Sequence, residues 1–76
     1  MIDVTILNPE KTLYHGQVER ICLPGDCGDF EVMAFHKPLV SLLRRGRIVL
    51  DEKRVFDIRK GIVRVLNDEL VALVEA

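Results

Sequence analysis

Residues 61–75 read Gly-Ile-Val-Arg-Val-Leu-Asn-Asp-Glu-Leu-Val-Ala-Leu-Val-Glu. Two short runs rich in strand formers, Ile62 to Leu66 and Leu70 to Glu75, are joined around Asn67-Asp68, and this arrangement predicts a β-hairpin. Glu69 to Ala76 also holds good helix formers, so a terminal helix competes with the second strand. Upstream, Arg47 to Leu50, then Asp51-Glu52-Lys53, then Arg54 to Arg59 predicts another hairpin, with Lys60-Gly61 turning the chain between the two. Two consecutive hairpins in the second half of a short chain point to an antiparallel β fold.

The first half agrees. Ile2, Val4 and Ile6 alternate with Asp3 and Thr5, the period of a half-buried strand. Asn8-Pro9 stops it, because proline lacks the donor that a ladder needs. A second extended stretch runs from Thr12 to Leu23, with Gly16 expected to mark a bulge or bend. Pro24-Gly25-Asp26 is a turn signal, and Gly28 extends the loop. Phe30, Val32 and Ala34 then alternate with Asp29, Glu31 and Met33, a short strand with one buried face. Phe35 to Pro38 reads as a connection. Leu39 to Leu43 is ambiguous, since Leu39, Leu42 and Leu43 have helical spacing and Pro38 is suited to a helix start, while the stretch is short for a helix. The fold class expected is all-β: a small flattened sandwich or barrel of mostly antiparallel short strands, one domain over residues 1–76.

Composition sets the limits. In 76 residues there is no room for a second domain or an interlobe cleft. Hydrophobic residues make up 49%, enough for a core, and aromatic ones only 5% with no tryptophan, so that core must be aliphatic. A net charge of −1 argues against a general nucleic-acid binder. The charge is nonetheless uneven. Residues 1–35 carry Lys11 and Arg20 against six carboxylates, residues 36–64 carry nine basic side chains against Asp51, Glu52 and Asp57, and residues 65–76 carry Asp68, Glu69 and Glu75 alone. If the middle residues share a face, that face is basic and suited to an acidic partner. If they are outward strand positions, they serve solubility and edge protection.

Chemistry is sparse. Cys22 and Cys27 are too few for a disulfide framework and have neither Cys-x-x-Cys spacing nor further cysteines for a zinc set, so free thiols in a reducing compartment are expected. His15 and His36 lie in no ligand pattern, so no metal and no cofactor are expected. Pro24-Gly25-Asp26-Cys27-Gly28 lacks the lysine and helix start of a phosphate-binding loop. Asp29 and Glu31 share a strand face, as an acid–base pair or as an acidic contact patch. The longest apolar run, Leu70 to Val74, is far short of a membrane span, and no signal segment opens the chain, so a soluble chain is expected. Read from its residues alone, the chain is a small β domain suited to binding or assembly. Two alternatives stay open: a small β-barrel enzyme using Cys22 or His36, and a nucleic-acid-binding barrel using Arg44, Arg45 and Arg47.

The order of motifs resembles the N-terminal β-sandwich domain of the epsilon subunit of the F-type rotary ATP synthase. Asn8-Pro9-Glu10 with Gly16-x-Val18 is similar to that family's first hairpin. Leu23-Pro24-Gly25, then Gly28-Asp29-Phe30 and Val32, is similar to its Pro-Gly-x-x-Gly-(Glu/Asp) segment. His36 with Pro38-Leu39-Val40 and Leu43, Gly46-x-Ile48, and Gly61-Ile62-Val63-x-Val65 with Leu70 and Leu73 follow in the family's order. The chain departs at Glu31, at Met33-Ala34-Phe35 where the family has a Leu-Pro-Gly-like segment, at Lys60 and at Arg64, which bears on loop shape and surface charge.

The resemblance implies a non-catalytic subunit at the foot of the central stalk, bound to the gamma subunit and resting on the c-subunit ring. There it would help couple ion-driven ring rotation to ATP synthesis. It implies a peripheral location on the cytoplasmic face of the bacterial plasma membrane, reached only through the complex. By motif position, Asn8, Asp29, Glu31 and His36 would face the ring, and Pro38, Leu39 and Ser41 the gamma subunit. Family members often continue into a C-terminal helical hairpin. If the chain is not an excised fragment, its end at Ala76 implies a coupling subunit without that inhibitory element.

Overall fold

A computed structural model describes all 76 residues, which form nine strands and no helix. They are β1 (Ile2–Leu7), β2 (Thr12–Val18), β3 (Arg20–Gly25), β4 (Gly28–Met33), β5 (Leu39–Leu43), β6 (Gly46–Leu50), β7 (Arg54–Ile58), β8 (Lys60–Leu66) and β9 (Glu69–Glu75). Strand order is β2-β1-β9-β8-β5-β3-β6-β7, with β4 on the other side of β3. Every pairing is antiparallel except β1 with β9. β5 joins β3 only through Gly25 and Leu43, so the sheet curls there into two layers, β2-β1-β9-β8-β5 and β4-β3-β6-β7.

The core lies between these layers. Sixteen buried residues, all aliphatic, form one cluster, and no polar side chain is buried. One layer supplies Ile2, Val4, Ile6, Val18, Leu43, Val63, Val65, Leu70, Ala72 and Val74, and the other Ile21, Leu23, Val32, Ile48, Leu50 and Ile58. The expected alternation of Ile2, Val4 and Ile6 is therefore inward-facing, and each is fully buried.

The expected hairpins form, with their turns where local chemistry favours them. Asn67 and Asp68 have φ of 52° and 59°, the left-handed pair of a two-residue hairpin turn. The competing terminal helix does not form, because residues 69–75 gain ladder partners on both sides, β8 and β1. Leu39–Leu43 resolves as a strand for the same reason: five rungs with β8 outweigh its local helical spacing.

Several boundaries differ from expectation. Thr12–Leu23 is two strands, and the chain breaks at Glu19, not at Gly16. Asp51, in the β6–β7 turn, explains the position: its Oδ1 accepts the amides of Glu19 and Arg20 at 2.9 and 3.0 Å. Gly16 pairs in register with Val4, and the irregularity falls at Leu13 between the Ile6–Tyr14 and Leu7–Thr12 pairs. The Tyr14 ring folds over Gly16, its hydroxyl 2.8 Å from where a Cβ would stand, so a larger residue there would push the ring aside. Pro24 and Gly25 belong to β3, and the turn is Asp26-Cys27. Pro24 sits between the rungs to β6 and the rung to β5, where no donor is required. Lys60-Gly61 is the start of β8, and the break is at Arg59, whose amide donates to the Glu75 carbonyl at 2.7 Å.

Candidate functional site

The outward face of the β1-β9-β8-β5 layer is unusual in its side chains. Register puts Leu7, Leu73, Ile62 and Leu42 on one row across four strands. The next outward row is Thr5, Val71, Arg64 and Val40. Val40 and Leu42 are 66% and 60% exposed, and Leu66, Ile62 and Leu73 are each more than 40% exposed. Scattered surface leucines need no explanation, but an aligned row across a sheet is an apolar strip of the kind that marks an interface. At one end it runs into a groove lined by Pro9, Asp26, Leu43, Lys60 and Val74, with a volume of about 460 Å³. Further along β5 and β8, past that row, Pro38, Leu39, Val40, Arg64 and Leu66 line a second groove.

The residues singled out from sequence are distributed over this frame. Pro38 is exposed at the entrance to β5. Leu39 packs against the core, and Ser41 is half-buried with its hydroxyl donating to the Leu42 carbonyl at 3.1 Å. The outward residues of β5 are Val40 and Leu42, which sequence reasoning missed because the strand was not assigned; once it is, period 2 identifies them.

Asn8 and His36 stand at opposite ends of the layer. Asn8 follows the Leu7 row, whereas His36 precedes Leu39, which pairs with Val65 near the far end of β8. Asn8 shapes its own loop: its Oδ1 accepts the amides of Glu10 and Lys11, both at 2.8 Å. Asp29 pairs with Pro24 near the Asp26-Cys27 turn, and Pro9 and Asp26 line one groove, so Asn8 and Asp29 belong to the same end of the molecule. Asp29 lies 3.8 Å from Arg44, both well exposed. Glu31 is exposed midway along β4, opposite Cys22. His36 is half-buried, its Nδ1 2.7 Å from the Lys37 carbonyl.

The chemistry open to the alternatives is limited. The Cys22 thiol donates to Glu31 Oε2 at 3.5 Å. Burial pushes its pKa up, and the Glu31 hydrogen bond and charge push it further, so the thiol stays protonated and is a poor nucleophile. The basic residues of the middle segment do not all share one face, although Arg44, Arg45 and Arg47 line one groove with Asp29, and Arg45, Arg47 and Arg59 line another with Asp57. Arg44 lies by Asp29 and Arg47 by Asp57 at 3.3 Å, while Arg59 and Lys60 both reach Glu75 at 3.7 Å. Lys53 and Arg54 are at the other end of the β6–β7 hairpin, and Arg64 is on the outward face of β8. In those two grooves Arg44 and Arg47 stand beside carboxylates, Asp29 and Asp57, and Lys53, Arg54 and Arg64 lie apart from them on a solvated surface. No cluster of three metal-ligating side chains forms. No helix of the structure is long and apolar enough to cross a membrane.

Known proteins of this shape narrow the reading. The fold is similar to a chain of the Tetrahymena thermophila mitochondrial ATP synthase, solved as central stalk and c-ring, with a TM-score of 0.83 and 15% identity over 99% of this chain and 63% of that one. It is also similar to a chain of the Euglena gracilis mitochondrial ATP synthase, with a TM-score of 0.88 and 17% identity over 99% of this chain and 51% of that one. At such identities the likeness concerns the fold. Sequence relatives are closer. The chain is 35% identical over 74 residues to the ATP synthase epsilon chain of Caulobacter vibrioides, covering 93% of this chain and 86% of that one. It is 34% identical over 79 residues to the epsilon chain of Parvibaculum lavamentivorans, covering 97% of this chain and 59% of that one. The family model described as "ATP synthase, Delta/Epsilon chain, beta-sandwich domain" matches residues 1–76. With its curled two-layer sheet, its motif order and this end-to-end match, the chain belongs to the ATP synthase delta/epsilon beta-sandwich family.

Proposed function

We propose that the chain is a non-catalytic rotor component of an F-type ATP synthase, docked on the gamma subunit through the outward face of the β1-β9-β8-β5 layer. It makes and breaks no covalent bond itself. The observation that carries the reading is the apolar row Leu7, Leu73, Ile62 and Leu42, of which the last three are exposed in the isolated chain and Leu7 is half-buried. Pro38 and Val40 extend that surface, and Leu39 and Ser41 support it from behind. Covering such a strip is favourable by roughly 25 cal/mol for each Å² of apolar area removed from water.

The ring contact belongs to the end that carries Asn8 and Asp29, with Glu31 on its flank. Carboxylates there suit basic loops of a c-subunit ring. His36, expected on the ring side by motif position, lies at the opposite end of the layer from Asn8, and in this reading it goes with the gamma-facing surface instead. A stiff aliphatic sandwich joins the two contacts, which suits a part that transmits torque without deforming. The chain reaches the cytoplasmic face of the membrane through these contacts, as a peripheral part of the complex.

The test is titration of the chain with the gamma subunit from the same organism, alongside the double variant Leu42→Glu, Leu73→Glu. Both substitutions are at exposed positions, so folding should persist, and the variant is expected to lose binding. Failure of the unaltered chain to bind gamma at micromolar concentrations would refute the reading. Salt-dependent capture of DNA or RNA by the unaltered chain would favour the nucleic-acid alternative instead.

A further inference from the structure

Phe35 combines two features that are each uncommon. Its backbone has φ of 65°, in the left-handed region that bulky residues avoid. Its side chain is 92% exposed, the most exposed of the large hydrophobic residues. A strained residue usually persists because its surroundings over-determine it. Here the surroundings are visible: the Phe35 amide donates to Asp68 Oδ1 at 2.7 Å, and Asp68 is itself fixed in the β8–β9 turn with φ of 59°. The backbone of Phe35 is thus pinned, and the pinning points its ring away from the domain. Within the chain the ring gains no burial that offsets the strain.

We infer that Phe35 is a preformed aromatic anchor that inserts into an apolar pocket of the gamma subunit. The inference rests on the proposed function and extends it to a specific contact. Phe35 lies at the end of the gamma-facing surface, held to the same β8–β9 turn that follows exposed Leu66, and three residues before Pro38, which lines the adjoining groove. Met33, 52% exposed two residues earlier, adds apolar area beside it. Phenylalanine on a fixed backbone has only two side-chain torsions to immobilise, so it binds with little entropy loss. The ring stands beside the groove of Pro38, Leu39, Val40 and Leu66, and with no polar atom of its own it calls for a dry pocket on the partner rather than for a charged contact.

The experiment compares the unaltered chain with Phe35→Gly and Phe35→Tyr, measuring thermal unfolding and affinity for the gamma subunit of the same organism. Phe35→Gly accepts the left-handed backbone, so its unfolding midpoint is expected to rise by about a few degrees. Its affinity is expected to fall by about tenfold or more, and Phe35→Tyr, which keeps the ring but carries a hydroxyl into a dry pocket, is expected to lose less than Phe35→Gly. A more stable variant that binds less tightly separates the anchor from general damage to the fold. Unchanged affinity in Phe35→Gly, with the unaltered chain binding, would remove the anchor and leave the rotor reading intact. If the unaltered chain binds no gamma subunit, the rotor reading fails and the anchor with it. A lowered midpoint in Phe35→Gly would show that the left-handed backbone is not strained, and would overturn the inference on that side.

Discussion

Tyr14 and Phe56 meet edge to face across the open side of the sandwich, ring centroids 6.0 Å apart and planes at 61°. β2 ends one layer and β7 the other, so no backbone ladder joins them there. The aromatic pair closes that seam, and the Arg54 guanidinium lies over both rings at 5.4 and 5.9 Å from their centroids. Gly16 makes room for the tyrosine.

Phe56→Ala should therefore open the seam without touching the ladder. A loss of about 2 kcal/mol of stability is expected, less than for a fully buried phenylalanine because Phe56 is half-buried. A double-mutant cycle with Tyr14→Leu should show a coupling of about 0.5–1.5 kcal/mol by urea denaturation. Strict additivity would mean that the rings do not hold the layers together.

Asp51 is expected to be the most sensitive turn residue. It accepts two amides from the β2–β3 break and has φ of 51°. Asp51→Ala should cost about 2 kcal/mol, through the lost acceptor and the left-handed backbone. Asp51→Asn, which keeps both properties, should cost under about 1 kcal/mol. Equal losses in the two variants would show that the side-chain oxygen is not what fixes the break at Glu19.

Gly61→Ala should be costly although the residue is in a strand. An added Cβ would come 2.6 Å from the Leu73 carbonyl oxygen, a backbone atom that cannot move without breaking the β8–β9 ladder. A loss of about 2 kcal/mol or more is expected, with faster amide exchange in β8 and β9. Native exchange rates in the variant would show that the ladder adjusts freely.

Cys22 gives a pH prediction. Its pKa is raised, first by burial and then by Glu31, so the folded chain holds the thiol proton more tightly than the unfolded chain. Stability should be unaffected below the ordinary thiol range, and should decline as pH rises through it toward the raised folded value. Cys22→Ala should flatten that alkaline decline. Iodoacetamide at pH 8 should modify exposed Cys27 well before Cys22, and a faster Cys22 would contradict the protonated thiol.

If the proposed ring contact at Asp29 and Glu31 holds, reversing their charge should cost coupling without unfolding the chain. Asp29 is exposed, and its only ion pair, with Arg44, is loose and solvated, so Asp29→Lys with Glu31→Lys should change stability by under about 1 kcal/mol. In a reconstituted complex the same pair should weaken proton- or sodium-driven ATP synthesis. Unchanged coupling would remove these two carboxylates from the ring contact.

Local features were legible from the residues alone. Alternation identified Ile2, Val4 and Ile6 as core, and Asn67-Asp68 marked its hairpin, because side-chain period and left-handed tolerance act within a few residues. The motif order was also enough to suggest the family. Tertiary structure decided the rest. The break at Glu19 depends on Asp51, about thirty residues away, and β9 is a strand because β1 and β8 flank it. Leu39–Leu43 had no decisive period of its own, so which of its residues face outward was settled only by pairing with β8. The outward apolar row exists only when four strands from three parts of the chain come into register, and Phe35 is pinned by a carboxylate 33 residues away. Burial and long-range hydrogen bonding select among the conformations that local sequence leaves open, and the proposed binding surface arises at that step.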